Sequence, residues 1–263
     1  MRNLLSESDT QPDGMPSHSN QLAPNTPSRY ILARFIAWLM SCLLLITATA
    51  QAENDFTVRH GDRESPRIAI TIDDCYDIRQ VQAAVALCQQ YDVRMTFFVI
   101  GSALKYADTD AWQAVLDAGC EIGNHSWSHT DLTRLSAHKI KFQMLRTQQK
   151  VDEILGYHYP MQVLRPPQGK TSNTVSKAVA DIGYRAVARW DVSQTNASKA
   201  ITDTQNGSIL LYHARAKDIR CLTTLIPALL EQGYECVTVS ELLDLPPITT
   251  AEYIYTYQQA DAN

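Results

Sequence analysis

Four polar clusters punctuate this chain: adjacent carboxylates Asp73 and Asp74 in IAITIDDCYD, His125 and His129 in NHSWSH, Arg165 at the head of RPPQG, and His213 closing ILLYH. Together they contain the groups that metal-assisted hydrolysis requires. Two neighbouring carboxylates repel unless a cation or a proton separates their roles. One on a divalent ion, with the other free to take a proton from water, resolves that conflict. Histidines four apart on a helical turn share a face, with roughly 6 Å between their Cβ atoms, which suits a shared ion. Two His and one Asp form a three-ligand set with positions left open for water and substrate. The ion would lower the pKa of that water and polarise an acyl oxygen. Arg165, followed by two prolines that stiffen the chain, can pair with the free carboxylate. His213 can give a proton to a leaving group. Singly, each has a plainer reading: an exposed acidic turn, two solvated histidines, a surface salt bridge, a satisfied core histidine. His18, His60, His138 and His158 have no metal-like partner in the sequence.

Such groups need a frame. Continuous apolar runs begin near residues 67, 95, 120, 163, 184, 208 and 234, and helical spacing is found over 78–91, 112–118, 132–155, 176–182 and 222–231. Strands that alternate with helices, and are apolar throughout, belong to a parallel sheet covered on both faces. About seven such units in roughly 180 residues predict an α/β fold, a small or irregular β/α barrel. Every polar cluster stands at the C-terminal end of a predicted strand, on the rim where barrel active sites assemble.

The net charge of −5 offers no basic stripe to track phosphates, so nucleic acid is not the expected partner. Residues 1–28 form a polar leader with the composition of a disordered segment. Arg29 and Arg34 then flank an apolar run ending in Ala50-Gln51-Ala52, a secretory signal pattern over 29–52. The run is short for a membrane span; an uncleaved signal anchor is the alternative, and only that would tie the protein to a membrane. Export to the periplasm, cell envelope or medium follows. Cleavage would leave Cys75, Cys88, Cys120, Cys221 and Cys236, an odd set with at least one free thiol or intermolecular bridge. Residues 65–243 read as one catalytic domain and 244–263 as a tail, with tyrosines at 253, 255 and 257, packed outside or disordered.

TIDDCYD, HSWSH, RPPQG and LLYH, in that order, resemble the motifs of the polysaccharide deacetylases, the NodB-homology domain of carbohydrate esterase family four. The resemblance covers residues 65–243. It implies a distorted seven-stranded (β/α) barrel and a divalent-metal hydrolase, commonly zinc-dependent, that removes N-acetyl or O-acetyl groups from a polysaccharide. Carried over position by position, Asp73 is the base, Asp74, His125 and His129 the metal ligands, and Arg165 the partner orienting the base. Gln168 stands where an oxyanion-binding backbone N–H lies. His213 is the acid, Leu211 floors the acetate pocket, and Trp190 opens the fourth motif region. Two departures stand out. Cys75 and Tyr76 replace the usual Gly and Pro, placing a side chain beside the metal site. Asn196-Ala197 falls where the family has Asp-Trp, which removes the carboxylate that tunes the acid histidine; Asp191 is the nearest substitute. The intact base, metal and acid positions favour an enzyme. The altered fourth motif favours a catalytically weak glycan-binding relative.

Overall fold

The structure is a computed structural model that describes residues 56–246 together with Arg34. The expected polar leader, signal segment and tyrosine-bearing tail lie outside the described residues, apart from Arg34 and the first three residues of the tail. None of the described helices is long and apolar enough to cross a membrane.

The strands are β1 (Thr57–Val58), β2 (Arg67–Asp74), β3 (Met95–Val99), β4 (Glu121–Asn124), β5 (Val163–Leu164), β6 (Ala186–Ala188), β7 (Ile209–His213) and β8 (Glu235–Cys236). The helices are α1 (Ile78–Tyr91), α2 (Thr109–Asp117), α3 (Ala137–Leu155), α4 (Asn173–Ala180), α5 (Ala197–Asp203), α6 (Ala216–Glu231) and α7 (Val239–Leu242). The strands pair in the order β1-β6-β5-β4-β3-β2-β7, and β8 joins β2. All these pairings are parallel. Val192, just past β6, bridges Leu210 of β7, and its carbonyl accepts the Leu211 N–H at 2.8 Å. That contact returns the sheet on itself, so the strands form a distorted barrel.

All seven predicted strands are present. The eighth, β1, precedes the expected domain start at residue 65; two residues carry no periodicity to read. Asp244, the first residue of the tail, pairs with Arg67 at the foot of β2, at 2.8 Å.

Strand alternation explains what the barrel contains. Along β2, Ile68, Ile70 and Ile72 pack in the large core shared with the helices, while Ala69 belongs to a second cluster with Phe98, Val163, Ala186, Ala188 and Ile209. This second set fills the interior. Space there is tight: a Cβ on Gly123 would meet the Phe98 ring at 2.6 Å. Continuing the same alternation brings Thr71 and Asp73, Arg165, and Leu211 and His213 onto the inner face toward the strand ends. The helices seal the outer face, entered through side-chain caps such as Asp77 on α1 and Ser136 on α3.

Candidate active site

Arg165 is the centre of the rim. It is fully buried, which rules out the surface salt bridge that its sequence context left open. Its guanidinium donates to the Ala188 carbonyl at 2.6 Å, the Arg189 carbonyl at 3.1 Å, the Thr71 hydroxyl at 3.2 Å and Asp73 Oδ1 at 3.1 Å. It also stacks 4.4 Å from the Phe98 ring centroid. A guanidinium fixed from four sides holds Asp73 in one orientation. Burial pushes the Asp73 carboxyl up to about 6, against the opposing pull of Arg165 and His213. Desolvation thus outweighs the arginine, yet a carboxyl at about 6 is still mostly ionised at neutral pH.

Asp74 turns away from the alternation. Asp74 and Cys75 both adopt left-handed backbone, at φ 69° and 58°, a conformation that costs a residue with a Cβ roughly 1–2 kcal/mol. The twist places Asp74 Oδ1 3.6 Å from His125 Nε2 and 3.7 Å from His129 Nε2. Ligand atoms of the three residues all lie within 4.8 Å of one another. A tetrahedral ion about 2.1 Å from each donor needs donor separations of about 3.4 Å, so the arrangement fits a divalent cation. His125 Nδ1–H donates to the Arg165 carbonyl at 2.6 Å, which leaves Nε2 with its lone pair toward Asp74. Burial holds the His125 imidazole well below its ordinary range, so it is neutral, as a ligand must be.

The two histidines are not on a helical turn, as their spacing predicted. They sit on an irregular loop after β4 in which Ser126 and His129 take left-handed backbone, at φ 67° and 56°. Side chains shape this loop. Asn124 Oδ1 accepts the Ser126 N–H at 2.8 Å, and Ser126 Oγ accepts the His129 N–H at 3.0 Å. Gln143 of α3 accepts the N–H groups of Trp127 and Ser128, each at 3.1 Å. The rings still meet, with centroids 4.9 Å apart.

Gln168 is exposed on the turn after β5 and is left-handed at φ 60°. Trp190 lies against Gly169, where a Cβ would meet its ring at 2.7 Å, and 5.5 Å from the Arg165 guanidinium. Leu211 and His213 are half-buried on the inner face of β7, and Asp73 pairs with His213 in register. The Cys75 thiol is tucked inward, 3.6 Å from the Ile72 carbonyl. Burial, reinforced by Asp73 and Asp74, raises its pKa well above the ordinary value, so it is a protonated packing group.

The fourth region differs most from expectation. Asn196 caps α5, its Oδ1 accepting the Lys199 N–H at 3.0 Å. Asp191, the expected substitute, is bound elsewhere, to Arg63 at 2.7 Å, Ser208 Oγ at 3.0 Å and the Ile209 N–H at 2.8 Å. The carboxylate beside His213 is one the sequence did not single out: Asp218 of α6, with Oδ2 3.7 Å from His213 Nδ1. Arg215, also missed, reaches Asp74 Oδ2 at 3.5 Å.

Comparison with known proteins agrees with this architecture. Residues 60–187 match the polysaccharide deacetylase family. The chain is 30% identical over 191 residues to the peptidoglycan-N-acetylglucosamine deacetylase of Bacillus cereus, covering 67% of this chain and 87% of that protein. It is 30% identical over 190 residues to the peptidoglycan-N-acetylglucosamine deacetylase PgdA of Listeria monocytogenes, covering 68% of this chain but only 39% of that protein. A crystal structure of a family-four carbohydrate esterase pseudoenzyme from Bacillus anthracis shares the fold, with a TM-score of 0.65 and 24% identity over 73% of this chain and 70% of that one. With the barrel, the ordered rim and the likeness across most of a deacetylase all in agreement, this chain belongs to the polysaccharide deacetylase family.

Proposed function

We propose that the protein is a metal-dependent deacetylase that hydrolyses the acetamide of N-acetylated sugars in an exported cell-wall glycan, with peptidoglycan the favoured substrate class. One observation carries this reading: a buried, arginine-held carboxylate stands beside a three-ligand Asp-His-His cluster and is in register with a histidine. The relatives' activity on peptidoglycan N-acetylglucosamine supports the substrate class.

Asp74, His125 and His129 would hold the ion, with zinc the best match to two imidazoles and one carboxylate. When bound, a divalent ion supplies Lewis-acid polarisation of the acyl oxygen and a water of lowered pKa. The protein's own groups do the rest. Asp73, ionised and aimed by Arg165, takes the proton from the attacking water. The Gln168 backbone, on an exposed left-handed turn, offers an N–H to the developing oxyanion. Leu211 floors the acetate methyl site, with Trp190 bracing the RPPQG turn. His213 gives its proton to the departing sugar amine. One group must be ionised while the other is protonated, and their different surroundings on adjacent strands permit that.

Export through the Arg-flanked apolar segment would bring the enzyme to such a substrate. The test is acetate release from N-acetylated peptidoglycan and chito-oligosaccharides, with chelator and with metal restored. Release that is lost with chelator and recovered with metal supports the reading. A metal-loaded protein that binds glycan and releases no acetate would establish the weakly catalytic binder, the reading that the altered fourth motif favours.

A further inference from the structure

We propose that Asp218 is the positioning carboxylate for His213, replacing from the helix after β7 the group missing at position 196. The inference rests on the assignment of His213 as the acid. β7 ends at His213 and α6 begins at Ala216, so the connection is only two residues long. That short turn brings the first helical turn back over the strand end. Asp218 Oδ2 accepts the His213 backbone N–H at 3.0 Å and stands 3.7 Å from His213 Nδ1. The residue is 1% exposed, and its other oxygen, Oδ1, is buried with no hydrogen-bond partner.

A buried carboxylate oxygen without a donor is costly. Among the described residues no other cation lies within ion-pair distance of Asp218. The His213 imidazole, with Nδ1 3.7 Å from Oδ2, is the cationic donor within reach of this carboxylate, and a ring rotation that shortens the separation would let Nδ1–H pair with it. Nε2 would then be the proton-delivering atom, the geometry by which a carboxylate fixes a histidine's tautomer and steadies its charged form. The other ionisable groups around the pair are Asp73 from β2, whose charge also interacts with His213, and Tyr212 and Cys221, both of which feel the Asp218 charge. Arg215 at the start of α6 is engaged with Asp74. Asn196 and Asp191 are committed to a helix cap and to Arg63.

The test uses the full chain, loaded with zinc and assayed on tetra-N-acetylchitotetraose, comparing Asp218→Asn, Asp218→Glu and Asn196→Asp. Asp218→Asn should lower kcat about 10- to 100-fold, with KM and metal content unchanged. It should also move the basic limb of the pH–rate profile down by about one unit. Asp218→Glu should recover most of both effects, and Asn196→Asp should leave the limb in place. An Asp218→Asn enzyme that slows without any movement of the limb would overturn the proposal, since a purely structural role predicts that result. Imidazole NMR of His213 gives a second readout independent of turnover. The His213 titration should move to lower pH in Asp218→Asn, and if that variant does not fold, wild type should show the proton held at Nδ1. A His213 with its proton on Nε2 in its neutral form would contradict the pairing. If wild type releases no acetate while the NMR coupling is present, the deacetylase reading fails and the pairing stands.

Discussion

Asp73 and Glu121 are both buried carboxylates inside one barrel, at opposite ends, and their partners differ in kind. Asp73, at the upper rim, has a full countercharge 3.1 Å away in Arg165 and an imidazole nitrogen at 3.8 Å. Glu121, at the lower end, has neutral donors only: the Thr96 hydroxyl at 2.7 Å, the Ser240 N–H at 3.2 Å and the Ser240 hydroxyl. Those donors tie it to α7, whose first N–H in turn reaches Thr96 Oγ1 at 2.8 Å, so the lower carboxyl closes the barrel floor. Burial raises the pKa of both. Burial alone therefore does not mark a carboxylate that does proton transfer. What separates them is a fixed countercharge and the neighbouring Asp74-His125-His129 cluster, on which the proposed role of the upper carboxylate rests, while the lower one is satisfied by neutral donors.

The comparison breaks most visibly at the ligands. His125→Ala or His129→Ala should abolish both metal binding and turnover; elemental analysis beside the acetate assay checks this, and full metal content with full activity would remove these residues from the site. Next in size, Asp73→Asn should cost about a thousandfold in kcat with metal retained, because the amide keeps a hydrogen-bonding oxygen for Arg165 but cannot take a proton. Arg165→Met should act on folding as well as on rate. It strands a buried carboxylate, and stability should fall by about 3–5 kcal/mol, read by urea denaturation and partly recovered when Asp73→Asn is added.

Glu121→Gln should have the smallest effect, with kcat within about twofold of wild type, well short of what loss of an acid or base group costs. Its signature is in stability against pH. The folded carboxyl is raised above its unfolded value, so the contribution of Glu121 is fully present below about pH 4.3 and is lost as pH rises through the folded value. The variant lacks that loss. Thermal melts from pH 4 to 8 should therefore show Glu121→Gln gaining on wild type as pH rises; a constant gap would mean that Glu121 does not titrate between the two states.

The sequence made the frame legible because β2 and β7 are apolar runs that end in polar residues and the short apolar β5 leads directly into Arg165, a pattern that places Asp73, Arg165 and His213 on a rim. It was less informative wherever conformation is set by contacts distant in sequence. The four-residue spacing of His125 and His129 brought them together correctly, yet through left-handed residues and a Gln143 brace rather than a helix. Asn196 was identified by motif position, but a capping residue needs only local partners, and that is how it is used. Asp218 was passed over because the apolar periodicity of α6 is clear only from Leu222 onward, while the helix begins at Ala216. The sequence puts the Cys75 side chain beside the metal site, but not its direction: the left-handed turn that aims Asp74 also sends the thiol back under β3, where its Sγ lies 3.9 Å from the Phe98 carbonyl.

The most direct test of the account is the zinc-loaded Asp73→Asn protein beside wild type, with metal content and acetate release from N-acetylated peptidoglycan measured on the same samples. The account predicts equal zinc in both, with acetate release chelator-sensitive in wild type and nearly absent in the variant. Comparable release from both, at equal zinc, would contradict it.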